Sequence, residues 1–160
     1  MKELLLFTDG SVNTKTKVGY GARIIVFKTE LCSESVKVKV LTKRFEDTSS
    51  TKLEIETLLW ALRDIPNGNL KIIIYTDSQN IIGLEQRRSR LEKNSYYSKN
   101  NKLLKNHELY KEFYRLTDKL DCEFIKVAGH QKKVTKNEID NIFTLVDKAS
   151  RRALREDSNK

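Results

Sequence analysis

The hydrophobic and polar positions fall into short runs whose period changes along the chain. Leu4 to Asp9 reads as a buried strand, and Val18 to Phe27 as a longer one with Tyr20, Ala22, Ile24 and Val26 on one face. Val36, Val38 and Val40 alternate with Lys37 and Lys39, which predicts a third strand with one wet face. Ile55, Leu58, Leu59, Leu62 and Ile65 then recur at helical spacing, behind candidate caps in Thr48-Ser49-Ser50-Thr51 and ahead of the stop Pro66-Asn67-Gly68. Leu70 to Thr76 is a continuous apolar strand, and Ser78 offers a cap for a helix through Ile81, Ile82 and Leu84. Leu103 to Leu120 repeats the helical pattern, Glu123 to Val127 makes a short strand, and an amphipathic helix runs from about Ile142 to Leu154. The order β-β-β-α-β-α-α-β-α predicts an α/β fold: a three-stranded antiparallel meander extended by two parallel strands, with helices on the faces. Sites in such sheets gather at the carboxyl ends of parallel strands. Asp9 ends the first strand and Asp77 the fourth.

A length of 160 residues suits one domain, taken as 1–156 with a polar tail at 157–160. The longest apolar runs are strand-sized, so no membrane span is expected. Met1-Lys2-Glu3 precedes too short an apolar stretch for a signal peptide, which predicts a cytoplasmic protein with Cys32 and Cys122 as free thiols. Thirty-one Lys and Arg against 22 Asp and Glu leave a net charge of +9. Arg87, Arg88, Arg90, Lys93, Lys99, Lys102 and Lys105 cluster with Tyr96 and Tyr97 and a single acid, Glu92. That concentration points to a polyanion, whose counterions such a surface would release, as against a merely solvated helix face.

The acids are less conspicuous but more informative. Thr8-Asp9-Gly10-Ser11 and Thr76-Asp77-Ser78-Gln79 repeat one pattern at two strand ends. Turn chemistry explains either Asp alone. At about 100° per residue, Glu54 lies within about 80° of Leu58, Leu62 and Ile65, so it borders the buried stripe of its helix. A carboxylate held there costs desolvation energy unless a cation compensates.

Five motifs in order resemble the type 1 ribonuclease H family. They are Phe7-Thr8-Asp9-Gly10-Ser11 with Gly19-Tyr20-Gly21-Ala22, Leu53-Glu54-Ile55 with Ala61-Leu62, Thr76-Asp77-Ser78-Gln79, Lys126-Val127-Ala128-Gly129-His130, and Val146-Asp147-Lys148-Ala149 with Ala153. The resemblance covers nearly the whole chain and implies a ribonuclease H-like mixed five-stranded sheet. It implies an endonuclease that hydrolyses the RNA strand of RNA–DNA hybrids and leaves 5′-phosphates. Asp9, Glu54, Asp77 and Asp147 would hold two Mg²⁺, or Mn²⁺, and His130 would relay a proton or help product leave. Asp140, ten residues past His130, rivals Asp147 as the fourth acid, though only Asp147 keeps the family's small-residue helix around it. Gly10, Ser11, Asn13, Ser50, Thr51, Arg87, Arg88, Arg90 and Lys93 are the implied nucleic-acid contacts. Ser50 and Thr51 stand where the family often has asparagines, and Tyr96 and Tyr97 where its basic protrusion carries tryptophans. A monomer is expected, with no obligate protein partner. The alternative is a catalytically weak or inactive domain of the same fold that only binds nucleic acid.

Overall fold

A computed structural model describes residues 1–31, 36–128 and 137–160. Its sheet comprises β1 (Lys2–Asn13), β2 (Val18–Phe27), β3 (Leu41–Phe45), β4 (Leu70–Thr76) and β5 (Asp121–Lys126), in the spatial order β3-β2-β1-β4-β5. The first three strands pair antiparallel; β4 pairs parallel to both β1 and β5. The helices are α1 (Ser50–Arg63), α2 (Gln79–Ile82), α3 (Leu84–Lys93), α4 (His107–Lys119) and α5 (Glu138–Ser158).

Side-chain alternation along the strands divides the core in two. Leu6, Ile72 and Ile74 pack with Ile55, Leu58 and Leu62 of α1 and with Tyr110 and Phe113 of α4. Leu5, Phe7, Ile24, Ile73 and Tyr75 pack with Ile142 and Val146 of α5 on the other face. Each such side chain contributes about 1.5 to 3 kcal/mol on burial. The two apolar layers therefore hold α1 and α5 on opposite sides of β1.

The caps fall where the sequence predicts. Ser49 accepts from the Lys52 N–H and Ser78 from the Ile81 N–H, both at 3.2 Å. Four element bounds differ from those expected. The third strand is Leu41–Phe45, not the valine alternation before it. Val36 is fully buried and Val40 packs against the same cluster, whereas Val38 is 81% exposed. Such i, i+4 burial fits a helical turn, and the Lys39 N–H donates to the Val36 carbonyl at 3.0 Å. The helix predicted from Leu103 begins only at His107, and the one predicted from Ser78 breaks at Gly83 into α2 and α3. The last helix runs past the expected Leu154 to Ser158, taking in two of the four residues at 157–160. Asp157 accepts a 2.7 Å hydrogen bond from the Tyr20 hydroxyl and pairs with Arg44 at 3.1 Å, fastening that helix to β2 and β3. Cys32 lies outside the described residues; Cys122 is half-buried and free. No helix of the described residues is long and apolar enough to cross a membrane.

Candidate active site

The site begins where two parallel strands part. β1 pairs with β4 only as far as Phe7 opposite Tyr75, then continues with β2 alone to Asn13. Asp9 therefore sits inside β1, opposite Ala22, rather than at the strand's end as expected from the sequence. Asp77 follows the end of β4. Each acid lies two residues beyond the last β1–β4 pair, so the splay opens between them. Glu54, in the first turns of α1, reaches over the opening. With Thr8, Thr57, Thr76 and Ile81, these three acids line one recess.

The crowding is visible in the electrostatics. Burial, then the charge of Asp77, pushes the Asp9 carboxyl up to about 8, with Asp147 adding to the shift and the Gly10 N–H opposing it. The Asp147 carboxyl is within hydrogen-bonding reach of Asp9. Burial and Asp77 also raise Glu54, against the Ser78 hydroxyl, which donates to Glu54 Oε2 at 2.6 Å. Ser78 thus does two things at once: it caps α2 through one lone pair and orients Glu54 through its proton. From the sequence only the cap is apparent.

Of the rival fourth acids, only Asp147 faces this cluster. Asp140 closes a capping box at the start of α5, accepting from the Asn137 N–H at 3.2 Å while its own N–H donates to Asn137. Asp147 lies two turns further on and forms a 3.0 Å ion pair with Arg151. A set of carboxylate oxygens suits a hard divalent cation. Burying like charges together is also the situation a cation relieves. As the side chains stand, no group of three or more His, Cys, Asp or Glu among the described residues is arranged to hold an ion. The ion pair with Arg151 engages one oxygen of Asp147, Oδ1. His130 lies outside the described residues.

The candidate nucleic-acid contacts divide by occupation. Gly10 and Ser11 continue β1 beside Asp9, and the Ser11 hydroxyl meets Ser150 at 3.2 Å. Asn13 accepts from the Lys15 and Thr16 N–H groups and so forms the β1–β2 turn. Ser50 and Thr51 are exposed at the start of α1. Arg87 donates to the carbonyls of Gly83 and Asn80, spanning the break between α2 and α3. Arg88 grips Asp118 with both terminal nitrogens at 2.6 and 2.8 Å and lies 4.9 Å from the Tyr114 ring. Arg90 and Lys93 are exposed on α3. Tyr96 is buried in the core; Tyr97 is 48% exposed. His107 is half-buried with Nδ1 lacking a partner among the described residues. Trp60 is half-buried, with the Arg23 guanidinium 4.2 Å from its ring.

A sheet of this order, with acids where its central parallel strands part, defines the ribonuclease H-like fold, and solved structures agree. The PFV RNase H domain superposes with a TM-score of 0.70 at 19% identity, over 94% of this chain and 93% of that one. LC9-RNase H1, a type 1 RNase H with the type 2 active-site motif, gives 0.67 at 16% identity over 93% and 72% of the two chains. The RNase H family model matches residues 1–153, and the chain belongs to that family. The Ribonuclease H of Caldicellulosiruptor saccharolyticus is 25% identical over 89% of this chain and 94% of its own length. That of Moorella thermoacetica is 23% identical over 95% and 96%. Membership supports a nuclease with ribonuclease H activity in the general sense.

Proposed function

We propose that the chain is an endonuclease that hydrolyses the RNA strand of RNA–DNA hybrids and leaves 5′-phosphate ends, with Asp9, Glu54, Asp77 and Asp147 holding two Mg²⁺ or Mn²⁺ ions. The observation that carries this reading is the meeting of acids from β1, the end of β4 and α5, with Glu54 over the same recess. When bound, the ions would activate the attacking water and stabilise the departing 3′-oxygen. The chain's own part is orientation: Ser78 fixes the Glu54 carboxylate, and α5 brings Asp147 against Asp9. His130 is assigned proton relay or product release. The hybrid would lie across Gly10, Ser11, Ser50 and Thr51, gripped on one side by Arg90, Lys93 and the exposed Tyr97. Arg87 and Arg88 would shape that protrusion from within, and Asn13 would hold the turn beside it. The same reading takes the chain as one domain acting as a cytoplasmic monomer.

Labelled RNA–DNA hybrid, double-stranded RNA and double-stranded DNA, each with and without Mg²⁺, test the proposal in one gel. Cleavage of the RNA strand of the hybrid, only with the metal, is the expected result. The Asp147–Arg151 pair favours a second reading, a nucleic-acid-binding domain without turnover. Binding of hybrid without cleavage in Mg²⁺ or Mn²⁺ would establish it.

A further inference from the structure

Helix α1 reaches the sheet through a trough that only glycine leaves open. Gly19 and Gly21 alternate on the α1 face of β2, and Gly21 stands directly opposite Gly10 in β1. A Cβ at Gly10 would lie 2.9 Å from Leu53 Cδ2, and one at Gly19 would lie 2.8 Å from the same atom. At Gly21 the conflict is worst: 2.2 Å to Thr57 Oγ1, 2.7 Å to Thr57 Cγ2 and 2.9 Å to Thr57 Cβ. None of the three glycines has a positive φ. Their reason is therefore closeness of approach rather than backbone conformation. Leu53 and Thr57 flank Glu54 in sequence, so the depth at which they seat sets the height of the Glu54 carboxylate over Asp9 and Asp77. The Thr57 hydroxyl is buried and makes no hydrogen bond. It is held there by packing alone.

We infer that Gly21 and Thr57 are positioning residues: their bare contact sets how closely α1 approaches β1 and β2, and so whether Glu54 can share a cation with the strand acids. This rests on the metal reading above. Octahedral Mg²⁺ demands oxygens at about 2.0 to 2.1 Å and tolerates little displacement. An added methyl at Gly21 must push Thr57 outward by about an ångström to reach ordinary contact, and a misplacement of that size costs about 10²-fold in rate.

The test compares wild type, Gly21→Ala and Gly21→Ala/Thr57→Ala. The second change removes the two nearest obstructing atoms, leaves only the 2.9 Å approach to the Cβ at position 57, and breaks no hydrogen bond. Mg²⁺ binding is read by calorimetry and by the metal-induced rise in Tm, alongside kcat and KM for hybrid. In Gly21→Ala, Mg²⁺ affinity is expected to fall at least about tenfold and kcat about 10²-fold, with a smaller change in KM because the protrusion is untouched and only Ser50 and Thr51 move with α1. The double variant should recover part of both, because the Cβ retained at position 57 still crowds the added methyl. If Gly21→Ala does not fold, Thr57→Ile presses on the same gap from the helix side and should show the same loss. Wild-type Mg²⁺ affinity in a folded Gly21→Ala or Thr57→Ile, or no recovery in the double variant, overturns the inference. Absence of any Mg²⁺ binding by the wild type overturns instead the metal reading on which it rests.

Discussion

Two concentrations of charge in this molecule are handled in opposite ways. Where β1 and β4 part, Asp9, Asp77 and Asp147 crowd like charges together, and the fold raises the Asp9 carboxyl rather than separating them. Along α3 each of two arginines is matched: Arg88 by Asp118 and Glu92, Arg87 by the carbonyls around Gly83. Matched charge builds structure; charge crowded against its own sign is retained at a cost in stability, which is a reason to look for function there. The basic block shows how composition alone misleads. Its first two arginines serve the protein, and the outward-facing positives begin at Arg90.

Five experiments press on this contrast. The largest effect is expected from Asp77→Asn, which should lower cleavage by about 10³-fold or more, while hybrid affinity in a filter-binding assay changes little. Retained turnover would remove Asp77 from the chemistry. Next comes a gain. Asp9→Asn should stabilise the metal-free protein by about 1 to 3 kcal/mol in urea unfolding, because it removes a desolvated like charge. An unchanged midpoint would mean that the crowding carries no cost.

On the basic side, Arg88→Ala should lose about 1 kcal/mol of stability, the worth of a well-aligned, half-exposed ion pair. The Arg90→Ala/Lys93→Ala variant should keep its Tm and instead flatten the salt dependence of hybrid binding, by about one unit of slope for each phosphate that is no longer neutralised. An equal fall in Tm for both variants would erase the distinction between matched and outward-facing cations. The smallest effect concerns pH. The Tyr20 hydroxyl, then Arg44, with Lys160 nearby, hold the Asp157 carboxyl below its ordinary range. Its contribution is thus complete above about pH 4 and fades as the pH falls further. Asp157→Asn should make the acid-side decline of Tm shallower, leaving Tm at pH 7 slightly lower.

Much of this was legible in the residues, for reasons that differ by region. The caps at Ser49 and Ser78 and the alternation in β2 follow from local chemistry, which the fold leaves in place. The third strand is not legible in this way because Val36, Val38 and Val40 satisfy a period of two as well as an i, i+4 turn, and only packing against the core decides between them. Asp9 looked like a strand end because hydrophobicity stops there, although the backbone ladder with β2 does not. The acids could be selected from motif order and helical angle. The capping box of Asn137 with Asp140 is local chemistry too, whereas nothing local could tell that Asp147, two turns later, meets Asp9. Arg87 and Arg88 share the same limit, since their partners Asn80 and Asp118 are set by the tertiary fold.

The long ladder between β1 and β2 carries a further implication. Ten residue pairs, from Leu4 opposite Phe27 to Asn13 opposite Val18, lock the two strands in phase. Sliding one past the other by a single position would turn every side chain over, delivering Asp9 to the α1 face and away from Asp147. The modest hairpin at 14–17 is in effect a phase-setting device for Asp9, which lies upstream of it. Inserting one residue there should yield a protein with normal helix content and no nuclease activity.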